Sequence, residues 1–179
     1  MDMPEPEEKK TVLVVGGGIA GLYFAGVAAK RGHRVTVTEC TDKWGGILNC
    51  VAPDPHKKAY IRFLRALEEN ARGSGAELLL HTEADTALID RLSPDTVVAA
   101  VGARPAQHTI PIADEAHVLQ AVGAMSRLKE IGQRVIILGG GLIGAELAVF
   151  LRQNGRQVCL AARSQILKDV YPLHGVALR

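Results

Sequence analysis

Three glycines, Gly16, Gly18 and Gly21, close the apolar run TVLVV, and a carboxylate, Glu39, stands 18 residues beyond the last of them. That spacing suits one task, the capture of a phosphate ester that carries a ribose. The first glycine permits a sharp turn out of a strand, the second leaves room for a pyrophosphate to touch backbone, and the third lets a helix pack close to the strand. Free N–H groups and the partial positive charge of the helix start then receive the phosphates. At the end of the next strand, Glu39 can accept hydrogen bonds from both ribose hydroxyls of an adenosine.

The pattern occurs twice. Adding 123 to each number carries Gly16, Gly17, Gly18 and Gly21 onto Gly139, Gly140, Gly141 and Gly144, and Ala25, Gly32 and Val35 onto Ala148, Gly155 and Val158. The duplication fails at the carboxylate, because Glu39 maps onto Ala162, with Arg163 next to it. Losing the carboxylate removes repulsion toward a 2′-phosphate, and a guanidinium can form charge-assisted bonds to one, so the second loop is expected to prefer NADP(H) to NAD(H). An ordinary surface arginine beside an alanine is the competing account.

The elements that must position these groups follow from periodicity and breakers. Thr11 to Val15, Ile19 to Arg31 and Arg34 to Glu39 read as a buried strand, an alanine-rich helix and a second strand, one βαβ unit. Lys57 to Gly73 carries a helical stripe at Tyr60, Ile61, Phe63, Leu64 and Leu67 that stops at the breaker GSG. Ala76 to Leu80 and Thr96 to Val101 read as two further buried strands. Pro105 and Pro111 mark a linker over Ala103 to Pro111, and His117 to Ile131 reads as a helix. A second βαβ unit then follows: a buried strand over Arg134 to Leu138, a helix over Leu142 to Asn154 and a strand over Gln157 to Ala161. The tail from Arg163 to Arg179 shows no strong period.

Composition bounds the rest. The chain has 179 residues, 47% hydrophobic and 22% charged, and a net charge of +2, which offers no electrostatic case for nucleic acid or an anionic membrane. No apolar run is long enough for a spanning helix, and the acidic start MDMPEPEEKK reads as a frayed lead rather than a signal peptide. Cys40, Cys50 and Cys159 have no zinc-like spacing and read as thiols in a reducing cytosol, so the expected location is cytoplasmic. The six histidines are scattered and suggest neither a metal site nor a hydrolytic triad.

Beyond Glu39, the run ECTDKWGGILNCVAPDP resembles flavoproteins with two dinucleotide-binding domains. WGGILN, HKKAYIRFL, SGAELLLHTEAD, PDTVVAAVGARP and GGGLIGAELAVFL, in that order, resemble one subgroup: the FAD/NAD(P)-binding region of the 2,4-dienoyl-CoA reductase, trimethylamine dehydrogenase and enoate reductase family. The resemblance covers roughly residues 11 to 165. It implies an α/β protein with a Rossmann-type parallel sheet, an FAD-binding part followed by the start of an NAD(P)-binding part. The expected division is a flexible lead over 1–10, an FAD-binding part over 11–111, a connecting helix or linker over 112–133, a partial NADP-binding βαβ unit over 134–162 and a tail over 163–179.

The resemblance further implies that Gly16, Gly18, Gly21 and Glu39 hold the ADP half of FAD, with Trp44, Gly45, Gly46 and Leu48 passing along the cofactor. Ala84 would lie near the adenine, and Val101 and Gly102 fall in the family's Ala-Thr-Gly segment, where valine here lacks the threonine hydroxyl. Gly139, Gly141, Gly144 and Glu146 match the second nucleotide site, joined by Arg163, although Glu146 also suits the first turn of any helix. Lys57 and Lys58 read as a solvated helix face. Disulfide reductases of the same fold carry two cysteines five apart at positions that are Leu48 and Pro53 here, so no redox dithiol is available.

The implied activity is passing reducing equivalents from NADPH to FAD and on to a partner, a flavin- and iron–sulfur-bearing barrel domain or subunit. No catalytic side chain is named, since the cofactors carry the hydride chemistry. Two alternatives stand beside it: a nucleotide-binding fragment or docking subunit without turnover, and a flavoprotein like the small subunit of glutamate synthase. The segment that finishes the NADP part and closes over the flavin in the family is not seen after Gly102. The chain is therefore expected to be truncated, with the apolar faces of Val135 to Leu138 and Val158 to Leu160 uncovered and prone to homo-oligomerise through strand edges.

Overall fold

The computed structural model describes residues 4, 6–106, 110–111 and 117–167, so parts of the expected lead, linker and tail (1–3, 5, 107–109, 112–116 and 168–179) lie outside the described residues. The chain divides into two compact units, Met1–Arg104 and Pro105–Arg179.

In the first unit β1 (Thr11–Val15) is one of the two inner strands of a parallel sheet ordered β3-β2-β1-β4. Val12, Leu13 and Val14 are all buried, as a strand covered on both faces requires. The helix α1 (Ile19–Lys30) is built from alanine and glycine, and buries Gly21, Leu22, Ala25, Gly26 and Ala28 against the sheet and its neighbours. A Cβ on Gly26 would collide with the Asn70 side-chain amide, so this glycine sets how closely α1 approaches the third helix. Gly32, at φ +94°, ends α1, and its N–H and that of His33 close the last turn onto Ala29 and Ala28. The chain then enters β2 (Arg34–Thr38), which pairs in parallel with β1 from Thr11↔Arg34 to Val15↔Thr38.

A short helix α2 (Leu48–Val51) and a 3-10 turn at Pro55–Lys57 precede α3 (Lys58–Gly73). Leu64, Leu67 and Ala71 form the buried stripe of α3, whereas Tyr60 and Phe63 are about half exposed. The expected stripe was too wide by those two residues, which sit on an adjoining face of the helix. After β3 (Glu77–Leu79), the helix α4 (Thr86–Leu92) is capped by the Asp85 carboxylate, which accepts from Leu88 N–H at 2.8 Å. Sequence reading passed over α4 although the Asp-Thr start and the Ser-Pro stop were both present.

The strand β4 (Thr96–Ala99) is latched to the start of β1 by Asp95, whose carboxylate accepts from the Thr11 N–H and hydroxyl, each at 2.7 Å. Neither β3 nor β4 is buried as expected. Both are edge strands, and Val97 is 43% exposed.

The second unit contains β5 (Arg134–Leu138), α5 (Leu142–Gln153) and β6 (Gln157–Ala161), with β5 and β6 paired in parallel. The helix expected over His117 to Ile131 is replaced by a 3-10 segment, Ala124–Glu130, kinked at Arg127. Gly123, at φ +87°, puts a left-handed residue in the middle of that span, which no continuous helix accommodates. The strand β5 is buried on one face only: Ile137 is buried, while the alternate residues Ile136 and Leu138 are 70% and 61% exposed, the uncovered apolar face expected for this run. No described helix is long and apolar enough to cross a membrane.

Candidate functional site

The chain moves outward from β1 through β2 to β3, then returns to the other side of β1 as β4. This reversal opens a crevice outside the carboxyl ends of β1 and β4, where open α/β sheets bind ligands. Gly16 leaves β1 there at φ +109°, and a Cβ on it would collide with the Ala100 carbonyl that follows β4. Val101 N also lies 3.2 Å from that Cβ position, so Val101 stands beside the first loop, and it is 71% exposed.

The glycines divide into two duties. A Cβ on Gly21 would fall on the Gly16 carbonyl oxygen, so this glycine is needed by the fold itself. Gly18 has an ordinary backbone, φ −76° and ψ −172°, and a Cβ on it would meet nothing within 4 Å. The fold leaves that space open at the N-terminus of α1, where no side chain caps the helix. Uncapped N–H groups facing an open space suit a pyrophosphate.

Glu39 is only 8% exposed at the end of β2. Its Oε2 accepts from Gly17 N–H at 2.9 Å, while Oε1 accepts from Thr41 N–H at 2.9 Å and the Thr41 hydroxyl at 2.8 Å. Burial pushes this carboxyl up, but the bonds from Thr41 and Gly17 together outweigh burial and hold it below the ordinary glutamate range. Cys40 is exposed, and its hydrogen bond to Glu39 leads the effects that push its thiol up, away from a reactive thiolate.

A carboxyl lowered on folding stabilises the protein above its unfolded value, about 4.3, and that contribution is lost as pH falls through the lower folded value. Glu39→Gln should therefore be less stable than wild type at pH 7, and the difference should shrink as pH falls below about 4. Denaturant midpoints of both proteins across that range measure it; a difference independent of pH would contradict the assignment.

The loop after Glu39 folds back on the first glycine loop. Gly45 N–H donates to the Gly17 carbonyl at 2.8 Å, and a Cβ on Gly46 would lie 3.6 Å from Gly18 Cα. The Trp44 ring lies against Gly17 and is 6% exposed, so it supports the loop from below. Leu48 is half-buried at the start of α2 and packs on the core. Beyond β3, Thr82 N–H donates to the Glu39 carbonyl at 2.9 Å, and Ala84, two residues further on, is half-buried.

The second loop repeats this construction within its own unit. Gly139 has φ +123°, Gly141 has φ −76° and ψ −176° with open space at its Cβ, and a Cβ on Gly144 would collide with the Gly139 carbonyl. Ala162 stands 2.7 Å from the Cβ position of Gly140, Arg163 follows it exposed, and Glu146 is half-buried on α5.

The repeat also runs further than sequence reading found. Leu167 N–H donates to the Gly140 carbonyl at 2.7 Å, as Gly45 does to Gly17, and Ile166 takes the place of Trp44. The offset there is 122 instead of 123, so one missing residue and unlike side chains hid the match. Leu167 accepts φ +60° where the first copy uses glycine. Thr41, a direct partner of Glu39, was also missed; its signal was a hydroxyl two residues beyond an acidic strand end, a spacing that favours local bonding.

Among the described residues no group of three or more His, Cys, Asp or Glu side chains could hold a metal ion.

The family described as pyridine nucleotide-disulphide oxidoreductase matches residues 10–174. Relatives include a metal reductase of Desulforamulus reducens, 38% identical over 148 residues, covering 80% of this chain and 22% of that protein. A cinnamate reductase of Clostridium sporogenes is 36% identical over 175 residues, covering 96% of this chain and 26% of that protein. The solved structure of a 2-naphthoyl-CoA reductase in complex with 2-naphthoyl-CoA aligns with a TM-score of 0.90 at 28% identity, over 99% of this chain and 27% of that one. The chain thus spans about a quarter of the length of these relatives. They agree with the enoate reductase type of resemblance that the motifs carry.

Proposed function

Because the chain belongs to the pyridine nucleotide-disulphide oxidoreductase family, we propose that it is the dinucleotide-binding module of a flavin-dependent reductase, passing reducing equivalents from NADPH to FAD and on to a partner domain or subunit. The observation that carries this reading is the pair of matching glycine loops, each with open space at its middle glycine and an uncapped helix start. Gly16, Gly18, Gly21 and Glu39 receive the ADP half of FAD. Gly139, Gly141 and Gly144 receive the second nucleotide, with Glu146 nearby on α5. Trp44, Gly45, Gly46 and Leu48 shape the first pocket from the β2 side, Ala84 flanks the adenine, and Val101 and Gly102 close the β4 side.

Flavin and nicotinamide supply the hydride chemistry when bound; these residues bind, orient and shield. The partner is a flavin- or iron–sulfur-bearing domain of the kind the resemblance implies. The exposed apolar residues Ile136 and Leu138 on β5 give it, or a second copy of this chain, a surface to cover. Titrating the purified protein with FAD and following flavin fluorescence tests the reading, which fails if the flavin does not bind.

At the second loop NADPH is preferred, because Ala162 lacks the carboxylate and Arg163 supplies a guanidinium. Ala162→Glu combined with Arg163→Ala should turn the preference toward NADH by about 1–3 kcal/mol. Calorimetric titration with both nucleotides measures the change, and tighter NADH binding by wild type would rule the preference out.

A further inference from the structure

We infer that Thr41 is a positioning residue: by filling Glu39 Oε1 it leaves Oε2 as the single carboxylate oxygen turned to a bound ribose. The inference rests on the reading of the first loop as a dinucleotide site and refines it. A carboxylate has about four acceptor directions, two on each oxygen. Thr41 N–H and the Thr41 hydroxyl take Oε1 at 2.9 and 2.8 Å, and the Cys40 thiol lies on the same oxygen at 3.5 Å. Among the described residues Oε2 receives only Gly17 N–H, at 2.9 Å, which takes one of its two acceptor directions.

The Thr41 hydroxyl has one hydrogen and two acceptors in reach, Oε1 and the Lys43 carbonyl at 3.0 Å. The charged acceptor is closer, and bonds to an ionised oxygen are about twice as strong as neutral ones, so the hydrogen goes to Oε1. Glu39 then takes one ribose hydroxyl, not the two that its type and position alone allow. Thr41 at Oε1 and Gly17 at Oε2 together hold the carboxyl plane, because donors at both oxygens fix its rotation. Nothing in this arrangement depends on the identity of the ligand beyond a ribose hydroxyl beside the glycine loop.

Two measurements separate this inference from the reading beneath it. In the ligand-free protein, carbon NMR of the Glu39 carboxyl tests the hydrogen bond alone: Thr41→Val should raise its midpoint toward the ordinary glutamate value, and Thr41→Ser should restore it. An unchanged midpoint in Thr41→Val would overturn the positioning role.

ADP, 2′-deoxy-ADP and 3′-deoxy-ADP, the last two each missing one hydroxyl, then probe the ligand side by calorimetry. One deoxy analogue should bind about tenfold more weakly than ADP to wild type and the other equally well. Equal losses for both analogues would overturn the single-hydroxyl contact. If ADP and FAD both fail to bind wild type while the Thr41→Val midpoint still moves, the dinucleotide reading and the ribose half of this inference fall together, and the Thr41–Glu39 bond stands.

Discussion

Gly18→Val is expected to leave a folded protein that no longer retains FAD. The residue has φ −76° and ψ −172°, an extended conformation open to valine, and the added Cβ meets no protein atom within 4 Å. The backbone and Cβ of the variant therefore fit the fold as it stands, and the side chain enters the space at the start of α1. A pyrophosphate displaced from that position loses charge-assisted bonds to backbone N–H groups, each worth about 1.5–3 kcal/mol, so the loss of two lowers affinity by at least ~100-fold. Circular dichroism and a thermal midpoint close to wild type establish folding, and flavin fluorescence titration measures binding. Stoichiometric flavin retained by this variant would show that the first loop is not the pyrophosphate site.

Gly21→Ala, three residues away in the same loop, should behave in the opposite way. Its Cβ would fall on the Gly16 carbonyl oxygen, and a backbone atom cannot swing aside as a long side chain can. Relief requires α1 to move away from β1, where Leu22 and Ala25 are fully buried. Overpacking of this kind costs about 3 kcal/mol, which in a unit of this size lowers the thermal midpoint by more than ~10 °C. Gly144→Ala should disturb the second unit by the same route, since its Cβ would meet the Gly139 carbonyl. A midpoint for Gly21→Ala within 2–3 °C of wild type, on the scale of roughly 4–8 °C per kcal/mol, would show that the loop relaxes freely. Together the pair separates glycines required by a ligand from glycines required by the chain.

The amino-acid sequence by itself determined the two βαβ units. Their strands and helices agree with the structure to within a residue because apolar runs, glycine turns and alanine-rich helices are local signals. It also determined that Gly16, Gly18, Gly21 and Glu39 would converge, since a parallel strand pair joined by one helix leaves little freedom in where its loops end.

How far burial extends was decided in three dimensions, although the uncovered face of Val135 to Leu138 was expected from the sequence. Val12 to Val14 are buried on both faces, whereas in the second run Ile137 is buried and Ile136 and Leu138, on the opposite face, stand exposed. The orientation of Glu39 was likewise decided by tertiary contacts. Residue type allows two ribose bonds, but the folded loop turns Thr41 onto one carboxylate oxygen and Gly17 onto the other, with two described N–H or O–H donors on Oε1 and one on Oε2. The continuation of the second copy to Leu167 also escaped the sequence, because it is carried by a backbone hydrogen bond to Gly140 that no side-chain pattern records. Periodicity reports which face of an element is apolar; what covers that face, and which donors surround a charged group, depend on segments distant in the chain.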